Sequence, residues 1–341
     1  MTAALEALGV PEVSGESLVF LGRGTVNPRS ETGFAVDRED GVRLFYKRVD
    51  SVERLCREVQ AHQHAARVAG YVDGVEVPRL FGIVPDRCLL LMAPIEARDN
   101  LFNYLWNGCS MWRRASLRLL PPERIGELLG TWFRRYHTPV TGSGIEGRQR
   151  VSQLATAACG RLKSTQFLRL DYLGGPVRDA LLAYLSPMRR PQDAEREMSA
   201  SSVVCVHGDP NLSSVLVTAQ QRLAIIDFGD SGVGLGGEDV VSIWQTIWAI
   251  SELSKRHKRL LTPCLEALIQ HYGKLDYENP LFQFLRTSAA ITQILVGLKT
   301  FRGRGPNRKL ADVNRRWLLA TYVGGHDGTA GGWGRHTCRN T

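Results

Sequence analysis

The first quarter of the chain alternates short apolar runs with polar turns, which is the pattern of β-strands. The alternation is interrupted near Ser51, where apolar side chains recur at helical spacing as far as Ala66 and predict a long helix. A further pair of strands surrounds the turn Pro85-Asp86. The predicted strands are Ser17–Leu21, Thr32–Val36, Val42–Arg48, Val77–Val84 and Arg87–Met92.

Most of the remaining chain carries helical periodicity. The clearest case is Pro121–His137, which opens with proline and has apolar residues every three or four positions. Residues 324–341 are rich in glycine and poor in aliphatic side chains, so we expect a mobile tail there. Strands followed by helices predict an α+β fold. The other predicted helices are Val151–Leu162, Val177–Leu185, Gln192–Met198, Val240–Leu253, Leu260–Tyr272, Pro280–Phe301 and Lys309–Tyr322.

Between residues 203 and 241 lie two short apolar runs that each end in an aspartate. The first leads into His207-Gly208-Asp209 and the second into Asp227-Phe228-Gly229. Two carboxylates at the ends of neighbouring strands suit one positioned base and one metal ligand. The simpler alternative is a pair of core strands whose terminal aspartates only cap turns.

The same stretch contains the glycine pattern G-x-G-x-x-G at Gly232, Gly234 and Gly237. In a dinucleotide-binding turn the first glycine closely follows a strand, whereas here four residues intervene, and no βαβ pattern surrounds the motif. We therefore interpret these glycines as a flexible loop before the next helix, with Glu238 and Asp239 at its N-terminus.

The two aspartate motifs, in this order and spacing, resemble those of the protein-kinase-like phosphotransferases, and the His-Gly-Asp form is similar to the aminoglycoside phosphotransferase and choline kinase branch. The resemblance implies a two-lobed fold. Its N-lobe would be a small antiparallel sheet in residues 1–95. Its C-lobe would be mainly helical, in residues 96–323, with a helical insertion at about 138–200. By resemblance, Asp209 orients or deprotonates an acceptor hydroxyl, and Asp227 holds Mg²⁺ on the phosphates of ATP.

One position departs from the family pattern. The family has a metal-binding asparagine five residues after the catalytic aspartate, and this chain has Ser214. A serine hydroxyl is a shorter and weaker oxygen donor than an amide carbonyl, so Ser214 is predicted as a second, weaker metal ligand. Asn211 is nearer to Asp209 in sequence but would approach from another direction. The departure leaves open a nucleotide-binding pseudokinase without transfer activity.

A lysine in the third predicted strand has a place in the same family pattern. Lys47 and its neighbour Tyr46 project to opposite faces of the strand. In the family a strand lysine contacts the ATP phosphates and a helix glutamate fixes it, and here Lys47 and Glu58 match those positions. Glu53 is the competing acid and Arg48 the competing cation.

Two further segments are expected to contact the nucleotide. Gly22 and Gly24 lie in the link Leu21–Asn27, where glycines permit close approach of backbone amides to phosphates. By resemblance, the hinge between the lobes follows Met92, and adenine would use the carbonyl of Ala93 and the N–H of Ile95. Pro94, which has no N–H, falls at the skipped middle position.

The net charge of +9 is concentrated at the C-terminus, because residues 299–341 carry nine basic and two acidic residues. A solvated basic segment is the main interpretation, and no nucleic-acid partner is predicted. An aromatic and arginine-rich stretch before Leu120 could instead contact a membrane surface or an anionic acceptor, or pack as a helix within the fold. Its arginines are Arg113, Arg114 and Arg118.

Cysteine usage and hydropathy bear on location. The seven cysteines are scattered, odd in number and form no C-x-x-C pair, which favours a reducing cytoplasm and argues against a zinc site. No apolar run approaches the roughly 20 residues of a membrane span, so no transmembrane segment is expected.

The sequence therefore predicts an ATP- and Mg²⁺-dependent phosphotransferase that acts on a hydroxyl of a small molecule, such as an antibiotic, an amino alcohol or a sugar. The long interval between His137 and His207 and the lack of an A-P-E segment resemble small-molecule enzymes rather than protein kinases. A kinase for a lipopolysaccharide or glycolipid sugar is the runner-up. The sequence leaves open the identity of the acceptor, the preference for ATP or GTP, and the oligomeric state.

Overall fold

The computed structural model describes residues 9–27, 30–111, 120–140, 144–164, 172–190, 203–273, 275–299 and 305–323. They form two compact units. The sheet unit comprises the described parts of Met1–Gly108 and His207–Gly232, and the helical unit those of Pro121–Val206 and Val233–Thr341. The predicted helix Gln192–Met198, the predicted tail and the arginines Arg113, Arg114 and Arg118 lie outside the described residues. The predicted lobe boundaries stay a prediction.

The main sheet of the sheet unit is antiparallel and has five strands in the order β1-β2-β3-β6-β5. A second sheet has the order β4-β10-β9-β7, in which only β4 and β10 are parallel. The strands are β1 Leu18–Asn27, β2 Ser30–Asp37, β3 Arg43–Val49, β4 Val75–Glu76, β5 Leu80–Val84, β6 Leu89–Met92, β7 Ala97–Asn100, β9 Val215–Thr218 and β10 Leu223–Ile225.

Strand β6 lies inside the main sheet, and all four of its residues are buried. Leu90 and Met92 contribute to one apolar cluster, which also contains Leu55 and Val59. Leu89 and Leu91 contribute to another, which also contains Tyr46. Successive side chains of a strand point to opposite faces, so one strand supplies both layers of core. Leu89–Met92 is therefore buried on both faces of the sheet.

The predicted link Leu21–Asn27 is not a loop. Strand β1 continues through it to Asn27 and pairs with β2 along its whole length. The register shifts between Phe20 and Gly22 and again between Arg23 and Val26. Such bulges absorb extra residues without ending a strand, which explains why the glycines predicted a loop and the structure has a strand.

Helix α1, Val52–Ala69, begins where the sequence predicted it. The side chain of Ser51 caps it by accepting a hydrogen bond from the Arg54 N–H. Its inner side buries Glu58 as well as apolar residues. Helix α2, Leu101–Met111, follows β7 and is the described part of the aromatic stretch.

The other helices predicted for the helical unit are present in its described residues, but two of them begin earlier than predicted, at Gly144 instead of Val151 and at Lys255 instead of Leu260. The unit also includes the short strands β8, Val203–Val206, and β11, Gly232–Leu235, which pair with each other. The interpretation of Gly232 and Gly234 as a flexible loop is therefore wrong, because pairing with β8 holds them in a strand. The helices are α3 Pro122–Tyr136, α4 Gly144–Leu162, α5 Gly175–Leu185, α6 Glu238–Ser251, α7 Lys255–Tyr272, α8 Pro280–Lys299 and α9 Pro306–Tyr322. An antiparallel sheet near the N-terminus and a larger helical part confirm the predicted α+β class.

Among the described helices, α8 alone is long and apolar enough to span a membrane by length and composition. Two thirds of its most apolar window (67%) is buried inside the fold. A core helix of a folded protein passes the same test, so α8 is weak support for a membrane span.

Candidate active site

Lys47 lies between two carboxylates within the sheet unit. Its Nζ is 2.5 Å from Glu58 Oε1 and 2.6 Å from Asp227 Oδ1. Strand β3 turns Tyr46 toward an apolar cluster and Lys47 toward helix α1, as the alternation of side chains predicted. Three residues far apart in sequence thus meet through one ammonium group.

The competing pairings are not formed. Arg48 lies near Glu31, with 3.6 Å between Nη1 and Oε2, and Glu53 is exposed on α1. Glu58, one turn further along the helix, is only 2% exposed. The structure therefore pairs Lys47 with Glu58, while the roles of both residues in nucleotide binding stay a proposal.

The protonation states follow from this geometry. Burial alone would lower the pKa of Lys47, but the charges of Glu58 and Asp227 outweigh it and the pKa is raised. Burial would likewise raise the pKa of Asp227, and the Lys47 ammonium outweighs it, so that pKa is lowered. For Glu58 burial dominates, and its pKa is raised despite Lys47. Lys47 and Asp227 are consequently both charged at neutral pH.

Asp227 combines an unusual backbone with an accessible side chain. Its φ is 68°, a left-handed conformation that aspartate tolerates better than most residues. Asp227 lies two residues after the end of strand β10. Its side chain is 56% exposed, although it bonds to a buried lysine. One carboxylate oxygen contacts Lys47, so the group has capacity for a further ligand.

The loop that carries Asp209 packs directly on the loop after Asp227. His207 Nε2 lies 2.9 Å from the carbonyl oxygen of Ile226, and the Ser231 hydroxyl donates to the His207 carbonyl at 3.0 Å. Asp209 itself is exposed. Its pKa is raised, first by desolvation and then by the negative charge of Asp230.

Ser214 and Asn211 differ in what their side chains do. The Asn211 side-chain oxygen accepts hydrogen bonds from the N–H groups of Ser213 (2.8 Å) and Ser214 (3.1 Å), so it caps a short 3₁₀ turn. Ser214 as a whole residue is 4% exposed, and its hydroxyl forms no hydrogen bond with the described residues. Of the two, Ser214 is the residue with an oxygen to offer a ligand.

A cavity of about 590 Å³ lies within the sheet unit and is lined by several of these residues, but Asp209 is not among them. This volume is in the usual range of small-molecule sites. One part of its wall is polar and the other apolar and aromatic. The polar residues include Lys47, Glu58, Ser214 and Asp227, and the others include Phe34, Phe45, His62, Met92, Ala93 and Ile95.

The predicted hinge residues line this cavity. Ala93 uses its N–H to bond the Arg79 carbonyl (2.8 Å), and Ile95 uses its carbonyl to bond the Ala97 N–H (3.1 Å). The groups predicted to bind adenine are the Ala93 carbonyl and the Ile95 N–H. Neither of them takes part in these two hydrogen bonds. Gly22 and Gly24, by contrast, are in β1 and are not among the lining residues of the cavity.

The cavity wall presents two oxygen donors that could hold a magnesium ion. Asp227 offers an accessible carboxylate, and Ser214 offers a hydroxyl that forms no hydrogen bond with the described residues. Mg²⁺ binds hard oxygen ligands and commonly takes one or two protein groups beside water and phosphate oxygens. The donor set fits such an ion. No cluster of three or more His, Cys, Asp or Glu side chains suited to a metal occurs in the described part of the chain.

Arg54 and Asp230 are site residues that the sequence did not single out. Arg54 is buried, and its Nη2 lies 3.6 Å from Asp230 Oδ1. A Cβ on Gly229 would lie 3.0 Å from Lys47 Nζ and 3.2 Å from both Arg54 Nη2 and Glu58 Oε2. A side chain at position 229 would therefore have to displace the ends of these three charged side chains by a few tenths of an ångström. Arg54 precedes Glu58 by one helical turn, a spacing that could have identified it.

In the helical unit, Asp239 and His137 form a separate buried cluster. His137 hydrogen-bonds Asp239 through Nε2 and the Tyr272 hydroxyl through Nδ1, both at 2.9 Å. Both His137 and Asp239 are fully buried. Such a cluster holds helices α3, α6 and α7 together, which is a structural role.

Residues 30–286 match the family model described as the phosphotransferase enzyme family. This match covers about three quarters of the chain, and the chain belongs to that family. The predicted class is confirmed: the protein is a phosphotransferase. No curated protein sequence matches the chain at a significant level.

Solved structures of similar shape include a macrolide 2'-phosphotransferase from Brachybacterium faecium, with 14% identity, 92% of this chain and 98% of that chain covered, and a TM-score of 0.47. A choline kinase from Streptococcus pneumoniae has 12% identity, coverage of 91% and 94%, and a TM-score of 0.48. An ethanolamine kinase from Plasmodium vivax has 12% identity, coverage of 89% and 82%, and a TM-score of 0.47. The family assignment rests on the family model alone.

Proposed function

We propose that the protein transfers the γ-phosphoryl group of ATP to a hydroxyl of a small molecule in an Mg²⁺-dependent reaction. The observation that carries this proposal is the position of Lys47 between Glu58 and Asp227 at the wall of one cavity. A buried ammonium group held by two carboxylates suits the binding of nucleotide phosphates next to a metal ligand.

The nucleotide is assigned to the cavity of the sheet unit. Its apolar wall, with Phe34, Phe45 and Met92, suits a purine ring, and Ala93 and Ile95 present backbone groups at the edge of that wall. Lys47 would contact the phosphates, and Glu58 would hold Lys47 in position. Asp227 and Ser214 would hold Mg²⁺, which supplies positive charge to the phosphate oxygens.

Asp209 is assigned to the acceptor. As the acceptor oxygen bonds to the γ-phosphorus, its proton passes to the Asp209 carboxylate, and the bond between that phosphorus and the bridging oxygen of ADP breaks. A raised pKa makes Asp209 a better proton acceptor than an ordinary aspartate. Most of the acceleration in this chemistry comes from positioning and charge neutralisation.

The five described cysteines outside the masked segments are all free thiols, which supports the assignment to a reducing cytoplasm. The arginines that motivated a glycolipid acceptor are not described, so no observation favours that alternative. A pseudokinase is disfavoured because Lys47, Glu58, Asp209 and Asp227 are all present. Of these, Lys47 contacts both Glu58 and Asp227.

The proposal is tested by measuring nucleotide consumption by the purified protein with aminoglycosides, macrolides, amino alcohols, nucleosides and sugars as acceptors. We expect Mg²⁺-dependent consumption with one acceptor class in the wild type and none with Asp209→Asn. Asp179→Asn, a substitution of an exposed aspartate in the helical unit, is the matched control and should retain full activity. Equal turnover in Asp209→Asn and the wild type would disprove the assignment of the base.

A further inference from the structure

Arg286 is a buried cation in the helical unit, on helix α8. Only 8% of its surface is exposed, and no carboxylate of the described residues lies within ion-pair distance. Its Nε donates a hydrogen bond to Gln245 Oε1 at 2.9 Å. That bond is the only one that the guanidinium makes with the described residues, so its two terminal nitrogens have none there.

Three indole rings surround the guanidinium. Its Cζ lies 4.0 Å from the ring centre of Trp317, 4.6 Å from that of Trp248 and 5.0 Å from that of Trp244. Cation–π attraction of this kind orients the planar group but leaves its N–H edges unsatisfied. The rings therefore fix Arg286 in place without neutralising it.

A chain of amide hydrogen bonds continues from Gln245 and fixes the position of the side chain that Arg286 contacts. Gln245 Nε2 donates to Asn314 Oδ1 at 2.6 Å, and Asn314 Nδ2 donates to Gln293 Oε1 at 2.8 Å. These amides connect helices α6, α8 and α9. Glu252 is near enough for its charge to raise the pKa of Arg286. It is itself paired with Lys258, with 2.9 Å between Lys258 Nζ and Glu252 Oε1.

We propose that Arg286 is the anchor of an anion-binding site in the helical unit that takes a carboxylate or a phosphate group. A guanidinium offers parallel N–H donors that match the oxygens of either group. Burial without a counter-ion is costly for a charged side chain, and a bound anion removes that cost. In agreement, burial lowers the pKa of Arg286 to about 9, and the nearby Tyr322, Glu252 and Tyr277 offset this only in part.

The alternative is a guanidinium that only fills the space between the indoles. The two roles differ in one respect, because a filler does not bind anions. The site would be a property of the helical unit and does not depend on the proposed phosphoryl transfer. Its ligand is a free anion.

The test is titration of the intact protein with inorganic phosphate and with acetate, followed by calorimetry and by tryptophan emission. We expect saturable binding of at least one anion in the wild type and a loss of at least tenfold in affinity in Arg286→Met, which keeps the length of the side chain and removes its charge. Arg259→Met, on the exposed side of α7, should bind like the wild type. Lys47→Met should remove only the anion binding that occurs in the nucleotide cavity and should keep the binding that depends on Arg286.

Circular dichroism establishes that each variant is folded. If Arg286→Met does not fold, Arg286→Lys keeps the charge without the paired donors and should still weaken binding severalfold. No saturable binding in the wild type overturns the proposal. Binding that is lost in Lys47→Met and kept in the Arg286 variants also overturns it, because the anion then occupies the nucleotide cavity.

Discussion

Gly208 is in direct contact with the backbone of Asp230. A Cβ on Gly208 would lie 1.9 Å from the Asp230 carbonyl oxygen, and the φ of Gly208 is 89°. Both facts exclude other residues without a shift of the chain. The loop that carries Asp209 and the loop that carries Asp227 are thus positioned against each other by main-chain contact.

We predict that Gly208→Ala reduces the rate of transfer by about a hundredfold, because a displacement of about 1 Å at reacting groups has an effect of this size. Nucleotide affinity should change far less, since Lys47 and Asp227 do not depend on residue 208 for their bond. Steady-state kinetics and nucleotide binding separate the two effects. Gly232→Ala is the control, because its Cβ would meet no atom within 4 Å. Similar losses in both variants would refute the argument from close contact.

The sequence predicted the parts of the site that depend on local pattern. Strand alternation separated Lys47 from Tyr46, and the order of Lys47 and Glu58 in the chain matched the lysine and glutamate positions of the family pattern. The contact of Arg54 with Asp230 was missed, because it joins a helix to a loop about 180 residues away and has no local signal. Gly22 and Gly24 predicted a loop, but bulged pairing with β2 keeps them in a strand. Backbone pairing of this kind depends on the partner strand and is not visible in one segment.

A second prediction concerns the buried pair of Lys47 and Glu58. Lys47→Met leaves Glu58, which is 2% exposed, without its neutralising partner. Removal of one member of a buried ion pair typically costs about 3 kcal/mol of unfolding free energy. The double variant Lys47→Met/Glu58→Met removes both charges and should recover most of that loss.

Chemical denaturation of the wild type, both single variants and the double variant measures this coupling. Arg48→Met, at the more exposed neighbour of Lys47, is the control and should lie within about 0.5 kcal/mol of the wild type. A double variant less stable than Lys47→Met would contradict the prediction.

A third prediction concerns pH. In the proposed mechanism, transfer requires the carboxylate form of Asp209, so the rate should fall as the pH drops through the pKa of this group. The pKa is raised by desolvation and by the charge of Asp230. Asp230→Asn removes the second cause, which lowers the pKa, so the acidic limb of the rate profile should move to lower pH.

The desolvation of Asp209 is unaffected by this substitution, so the limb should not reach the position of a fully solvated aspartate. The pH dependence of kcat for the wild type, Asp230→Asn and the control Asp179→Asn measures the shift. An unchanged limb in Asp230→Asn, or an equal shift in the control, would show that Asp230 does not influence the base.

The last prediction concerns Ser214, where the chain departs from the pattern of its family. A hydroxyl reaches less far than an asparagine side chain, so Asp227 should supply most of the protein's share of magnesium binding. Ser214→Ala should then reduce transfer about tenfold, or by about 1.4 kcal/mol of transition-state stabilisation, whereas Asp227→Asn should remove the Mg²⁺-dependent part of nucleotide affinity. Ser214→Asn should preserve or raise activity where the 3₁₀ turn accommodates the larger side chain.

Asn211 is engaged in capping that turn and does not replace the missing asparagine. Turnover at several Mg²⁺ concentrations in the three variants and the wild type is the measurement. A Ser214→Ala variant as inactive as Asp227→Asn would show that the serine is a full metal ligand, and a wild type without transfer to any acceptor that gains activity in Ser214→Asn would show a pseudokinase.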